Sequence, residues 1–283
     1  MIAPLKIRGR TFSWKENTYF MGILNVTPDS FSDGGKFLSL ESAVLQAKKL
    51  LEDGADIIDV GGESTRPFSD RVPLEEELKR VIPVIKAIRE NFPGAIISVD
   101  TYKAKVAEEA IKAGADIVND ISALRFDPSM LDVVKEAKVP VVIMHMKGEP
   151  KTMQLNPEYE DVVKEVHDFL RERIEFLVEK GIEFDKIIVD PGIGFGKKFE
   201  HNIKLIKNID FFLKLNRPIL LGHSRKTFIG ELIQREPHQR DGGTVGVSLF
   251  AALKGVHILR VHEVRLNKDA IKVFKYLYSQ GES

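Results

Sequence analysis

The chain has 283 residues, 43% of them hydrophobic, with Lys+Arg and Asp+Glu both at 42 and no cysteine. Zero net charge argues against nucleic acid or an anionic membrane as the main partner. The lack of Cys excludes disulfides, thiolate catalysis and Cys-ligated metals. With no basic segment leading into an apolar stretch, and no run of roughly 18 apolar residues, the expectation is a soluble cytoplasmic protein with one domain over residues 1–283.

Residues 1–18 are polar with scattered apolar positions and predict a small hairpin. Short apolar runs that end in a polar residue then alternate with helical spacing. Tyr19–Asn25 is followed by a helical pattern over roughly 41–53, Asp56–Val60 by 75–91, and Ala95–Asp100 by 103–113. Asp116–Asp120 is followed by 128–137, Val139–His145 by 158–180, and Lys186–Asp190 by 200–213. Pro218–His223 precedes 244–254, and Val256–His262 precedes 267–280. In the pattern over 103–113, Val106, Ala107, Ala110 and Ile111 share one face. Gly54, Gly114 and Gly181 each stand where a helix should stop before the next strand. Buried parallel strands alternating with helices predict an α/β fold, a (β/α)8 TIM barrel, which typically takes about 250 residues. Two connections, Val26–Leu38 and Gly61–Pro73, are long and rich in Gly, Pro, Ser and Asp; their position after strand ends predicts functional lids.

In such a barrel the C-terminal strand ends converge on one face, where active sites are built. That face should gather Asn25, Asp59, Asp100, Asn119, His145, Asp190, Ser224, Arg260 and His262. Asp100 and Asp190 close apolar strands, so each must be paired or hydrogen-bonded; each could also be a structural cap. With Asn119 they offer acceptors and an amide, which suits a flat heterocycle with ring N–H and carbonyl groups. Ser224-Arg225-Lys226 with Arg260 and His262 brings cations to the loops after strands seven and eight, where barrels often bind phosphate. Lys226 reads alternatively as a Schiff-base lysine. The glycines of Asp190-Pro191-Gly192-Ile193-Gly194-Phe195-Gly196 match no nucleotide loop and let backbone approach a ligand. Phe195 could add an apolar wall. His167, His201 and His238 read as surface residues, and His145 and His223 as strand-end residues without evident partners. Glu63 reads as a buried acid bonded to backbone.

Taken together, these stretches resemble one family. Met21-Gly22-Ile23-Leu24-Asn25 through Asp29, Phe31, Asp33 and Gly35 resembles the first signature of the dihydropteroate synthases, and Gly61-Gly62-Glu63-Ser64-Thr65-Arg66-Pro67 the second. Ser98-Val99-Asp100-Thr101, Val118-Asn119-Asp120, Asp190 through Phe195, Ser224-Arg225-Lys226 and Arg260-Val261-His262 match the rest in order. The departures are Phe68 in place of a frequent Gly, His223 before Ser224, and Gly243-Thr244-Val245. The resemblance implies that p-aminobenzoate is joined to 6-hydroxymethyl-dihydropterin pyrophosphate, giving dihydropteroate and pyrophosphate. Asp100, Asn119, Asp190 and Lys226 would hold the pterin, Arg260 and His262 the pyrophosphate, and Asn25 a Mg2+ ion. Thr65, Arg66, Pro67 and Phe31 from the lids, with Lys226 and Thr227, would shape the p-aminobenzoate site, and Phe195 and Ser224 would also bind substrate. Asp29, Asp33 and Arg66 would join Asp100 and Lys226 in catalysis. A homodimer is implied, packed through barrel helices away from the substrate face. A corrinoid-dependent methyltransferase shares the barrel and pterin site without needing the Ser-Arg-Lys and Arg-Val-His motifs. A non-catalytic pterin-binding barrel is a third reading.

Overall fold

The structure, a computed structural model, describes residues 2–15, 17–26, 36–64, 71–149 and 151–279, with backbone only for 36–39. Asp29, Phe31, Asp33, Thr65, Arg66, Pro67 and Phe68 lie outside the described residues. The expected hairpin is present: β1 (Leu5–Ile7) pairs antiparallel with β2 (Arg10–Phe12). Eight parallel strands follow: β3 (Tyr19–Asn25), β4 (Ile57–Gly61), β5 (Ile97–Asp100), β6 (Ile117–Asp120), β7 (Val141–Met144), β8 (Ile187–Asp190), β9 (Leu220–Leu221) and β10 (Ile258–Val261). Neighbours in sequence pair in order, β10 pairs with both β9 and β3, and the bridge Val189–Ile219 closes the ring between β8 and β9. This is the (β/α)8 barrel expected from the pattern.

The outer layer holds α1 (Lys36–Glu52), α2 (Leu74–Asn91), α3 (Ala104–Ala113), α4 (Met130–Ala137), α5 (Val162–Glu179), α6 (Phe199–Lys207), α7 (Thr227–Ile233), α8 (Asp241–Leu253) and α9 (Val264–Ser279). Gly54, Gly114 and Gly181 all have positive φ at helix ends, as expected. Three elements differ from the sequence reading. α1 starts at Lys36, earlier than 41, which shortens the first long connection. The helix expected over 200–213 stops at Lys207, and Ile209–Leu215 continues as a 3-10 helix. Its buried residues, Ile209, Phe212 and Leu215, recur every three positions, the repeat of that tighter helix. α7 was not expected; seven residues are too few for a periodic signal to stand out.

Side-chain parity explains how the strands make both a core and a site. Successive strand residues point to opposite faces. One parity packs against the helices: Ile58, Val60, Ile97, Val99, Val118, Ile187, Val189 and Leu259 belong to the large core between barrel and helices. The other parity fills the barrel. Its lower layer is Met21, Ile57, Ile96, Ile117, Val142, Ile188, Leu220 and Ile258, and Leu5, Ile7, Phe12 and Trp14 of the hairpin region pack beneath them. Two residues further along the same strands, the same face presents Asp59, Ser98, Asn119, Asp190 and Arg260. Asp100 and Asn25 come one more step toward the rim. An apolar plug below a polar layer is thus written into alternate positions of each strand.

Candidate active site

The polar layer is tied together across the barrel. Arg260 donates from Nε to Asp59 Oδ2 at 2.6 Å and from Nη2 to Asp100 Oδ2 at 2.8 Å. Asn119 Nδ2 donates to the same Asp59 oxygen at 3.1 Å. Asp59 is fully buried, and its Oδ1 has no protein partner among the described residues; nor has Ser98 Oγ, which stands beside it in register across β4 and β5. Asp190 Oδ1 accepts from Gly192 N at 2.7 Å. Gly222, just past β9, borders this layer: a Cβ there would make ordinary contacts, 3.8 Å from Asp190 Oδ2 and 3.9 Å from Arg260 Cδ.

One guanidinium between two carboxylates leaves this cluster short of positive charge. Burial is the main cause that pushes the Asp100 carboxyl up, to about 7; the Asp59 charge adds to it and Arg260 opposes it. Burial likewise lifts Asp190 to about 6, against the Gly192 N–H and the charges of Lys226, Lys197 and Arg260. Burial works against the Arg260 charge too, but Asp59 and Asp100 outweigh it and hold the guanidinium above its ordinary value.

On the neighbouring side, Ser224 Oγ lies 2.8 Å from His262 Nδ1 and accepts from His262 N at 3.2 Å. The strand-seven and strand-eight ends therefore meet, as the phosphate-site expectation requires. Arg225 does not join them. Its guanidinium bonds Asp241 at 2.8 and 3.0 Å and Glu263 at 3.3 Å, so it ties the β9 loop to α8 and α9 rather than facing an anion. Lys226 is half-buried, with Nζ 4.3 Å from the centre of the buried Phe195 ring. Thr227 is exposed at the first position of α7. Asn25 is half-buried at the end of β3, with Gly61 opposite it on β4.

The glycine-rich loop from Asp190 to Lys197 lies directly on the backbone beyond β7. A Cβ on Gly192 would come 1.9 Å from His145 O, and one on Gly196 2.2 Å from Lys147 O. Both have positive φ. These two positions therefore admit only glycine. The loop sets Phe195 beneath the Lys226 side chain.

The histidines need correction. His145 has a partner that the sequence did not suggest: its Nδ1 lies 2.9 Å from the ammonium of Lys197, which is itself buried. His223 turns outward, with Nε2 2.8 Å from Ser248 Oγ and 3.2 Å from Thr244 O on α8. His167 is half-buried, not a surface residue, and packs edge-on against Phe211. His201 is also half-buried, accepting from Lys198 N at the start of α6, while His238 is exposed as expected. Glu63 accepts from Val72 N at 3.1 Å, as a buried structural acid should, and also from Tyr102 OH at 2.7 Å and Lys103 Nζ at 2.5 Å. Asp59 stands at the mouth as its strand end predicts, with Asn119 and Arg260 as partners the sequence did not reveal. Lys197 is the residue that sequence reasoning missed, and no local signal marks it.

The comparisons with known proteins agree with this geometry. The family model described as "Pterin binding enzyme" matches residues 21–262. The dihydropteroate synthase of Haemophilus influenzae is 48% identical over 255 residues, 90% of this chain and 92% of that protein. A Xanthomonas albilineans dihydropteroate synthase solved with 4-aminobenzoic acid superposes with a TM-score of 0.91 at 45% identity, covering 98% of this chain and 99% of that one. The same organism's enzyme solved with 7,8-dihydropteroate gives 0.88 at 44% identity, over 98% and 99% of the two chains. The chain therefore belongs to the pterin-binding enzyme family and, within it, to the dihydropteroate synthases, transferases of folate synthesis.

Proposed function

We propose that the chain joins 6-hydroxymethyl-7,8-dihydropterin pyrophosphate to p-aminobenzoate by dissociative loss of pyrophosphate and attack of the arylamine. The observation that carries this reading is the buried Asp59–Arg260–Asp100 array with Asn119, at the open end of the barrel. Asp100, Asn119 and Asp190 offer carboxylate acceptors and an amide to the N–H and carbonyl edge of a pterin. The bond from the pterin methylene to the pyrophosphate oxygen breaks first, and both electrons leave with the oxygen. The methylene cation is then supported by the Asp100 carboxylate. Arg260, whose Nε and Nη2 are committed to carboxylates, keeps Nη1 for the leaving group, which His262 and Ser224 would also bind. The arylamine nitrogen attacks the methylene carbon and then loses a proton to water; no general base is needed. Phe195 and Lys226 form the wall for the aryl ring, and Lys226 and Thr227 lie near its carboxylate.

Among the described residues no three His, Cys, Asp or Glu side chains gather into a metal site. A Mg2+ ion here would rest on the amide oxygen of Asn25, the kind of hard donor this ion takes while keeping several waters. When bound, Mg2+ spreads the charge of the leaving pyrophosphate.

Two further readings belong to the same proposal. The protein works as a homodimer, supported by exposed Phe250 and Leu253 on α8 and Val273, Tyr276 and Leu277 on α9. It works in the cytoplasm, a reading supported by the cysteine-free composition; among the described residues no helix is long and apolar enough to cross a membrane. The test of the chemistry is pyrophosphate release. It should require both the pterin pyrophosphate and p-aminobenzoate. Release that ignores p-aminobenzoate, or methyl transfer from a methylated folate instead, would sink the reading.

A further inference from the structure

Lys197 is a buried ammonium that the transfer chemistry does not use. Its Nζ lies 2.7 Å from Gly192 O, 3.0 Å from Phe195 O, 3.3 Å from His145 O and 2.9 Å from His145 Nδ1. None of the four partners is a carboxylate. Burial pulls the Lys197 pKa well below its ordinary value, against the charge of Asp190. The four acceptors work the other way: a neutral amine has two N–H groups to offer and would aim its lone pair at a third acceptor. Burial and the Lys197 charge also hold the His145 imidazole neutral, well below its ordinary pKa. Nδ1 is then the acceptor and Nε2 carries the proton. The arrangement is that of a monovalent-cation site whose cation is supplied by the chain itself.

Two of the carbonyls that form this cradle, Gly192 O and Phe195 O, belong to the loop bearing Phe195, and the third, His145 O, follows β7. The rest of that loop is fastened from outside: Gln154 donates to Gly194 O, Tyr159 OH to Gly196 O, and Gly194 N donates to Asn202 Oδ1. Backbone bonds from Phe195 N to Gly192 O and from His145 N to Asp190 O help shape the turn, and the ammonium is the one side-chain donor shared by Gly192 O, Phe195 O and His145 O among the described residues. Without it three carbonyl dipoles would face one another.

We propose that Lys197 is a positioning residue for the acceptor: by filling a carbonyl cradle it fixes the Asp190–Lys197 loop and sets Phe195 against Lys226, building the wall on which the arylamine stacks. This rests on the reading of that wall as the acceptor site. Asp190 stands on β8, one turn away from the Phe195 end of the loop, and feels Lys197 through its charge rather than through a direct bond. Loss of the ammonium should therefore fall on the acceptor more than on the pterin.

The first experiment uses the native protein. Nitrogen-15 histidine spectra should show His145 as the neutral Nε2–H tautomer throughout pH 5.5 to 8.5, a span of roughly a unit and a half either side of neutrality. An Nδ1–H tautomer, or protonation near the ordinary histidine value, would overturn the cradle, whether or not the proposed chemistry holds. The second uses Lys197→Met and Lys197→Ala. Lys197→Met should raise KM for p-aminobenzoate about tenfold, the equivalent of one lost charge-assisted hydrogen bond, with little change in kcat or in pterin affinity. Lys197 lines a cavity of about 610 Å³ beside Lys226, so a small cation can reach the cradle once the side chain is shortened. Ethylammonium should restore the p-aminobenzoate KM of Lys197→Ala, and tetramethylammonium should not. An unchanged acceptor KM in Lys197→Met would refute the assignment. So would an equal loss in both substrates, which would mark a general scaffold role. If neither variant folds, the histidine spectrum of the native protein decides.

Discussion

Asp100 shares its one guanidinium partner with Asp59, and this sharing has a kinetic signature. The proposed role needs the carboxylate, the form present above its pKa. Because burial lifts that pKa to about 7, kcat/KM for the pterin substrate should fall as pH drops through about 7. Asp100→Asn should lose that limb and cost about 1.5–3 kcal/mol, about ten- to a hundredfold in kcat/KM. Asp59→Asn removes a like charge that raises Asp100, so its acid limb should move to lower pH. A limb that stays in place in Asp59→Asn would mean that another group titrates; normal turnover by Asp100→Asn would refute its role. Lys226 gives a separate test. Its ammonium stands over the Phe195 ring, and the proposed reaction has no carbonyl for it to condense with. Borohydride treatment in the presence of both substrates should leave the protein mass unchanged; an adduct on Lys226 would revive the Schiff-base reading.

At the scale of elements, the Asp190–Lys197 loop trades sequence freedom for closeness. Gly192→Ala would drive a Cβ against the His145 carbonyl oxygen, where only backbone movement gives relief, and would strain a φ of +72°. The variant should lose about 2 kcal/mol or more in denaturant unfolding and weaken p-aminobenzoate binding. Gly242→Ala, in α8 with nothing within 4 Å, is the control and should be neutral or stabilising by up to about 1 kcal/mol. Equal stability of the two variants would show that the loop can shift away from β7. The same comparison shows what the sequence could reveal. An apolar run ending in a polar residue is a local pattern, so Asp100, Asn119, Asp190 and Arg260 were legible as strand-end residues facing one mouth. Their partners were not. Arg260 meets Asp100 across 160 positions and Asp59 across 201, and only ring closure sets those distances. Arg225 misled because a basic residue in a motif looks like its neighbours until Asp241 and Glu263 are seen beside it. Lys197 stayed hidden because a lysine normally reads as solvated, and nothing local says that three carbonyls will surround it.

For the whole molecule, the barrel divides its work by direction. The lower end is sealed by the hairpin region, the upper end carries the polar layer, and the helices cover the side. Part of that side is not polar. On α9, Leu266, Val273 and Leu277 fall at a helical spacing of seven and four and are 52%, 60% and 67% exposed, and Phe250 and Leu253 extend the face onto α8. Soluble monomers rarely leave so continuous an apolar strip in water, whereas two copies can bury one against the other about a twofold axis. Since α8 and α9 flank the barrel, such a pairing leaves both mouths open. Sedimentation of the native protein should therefore give twice the mass of one chain. Val273→Asp combined with Leu277→Asp should give single chains, because burying a carboxylate at the centre of an apolar contact without a partner is costly. Turnover per chain should persist in the single chains, since neither residue reaches the barrel mouth. A native protein that sediments as one chain would leave the apolar face unexplained and end the dimer reading. A double variant that loses both association and activity would place part of the site's support in the partner rather than in this barrel alone.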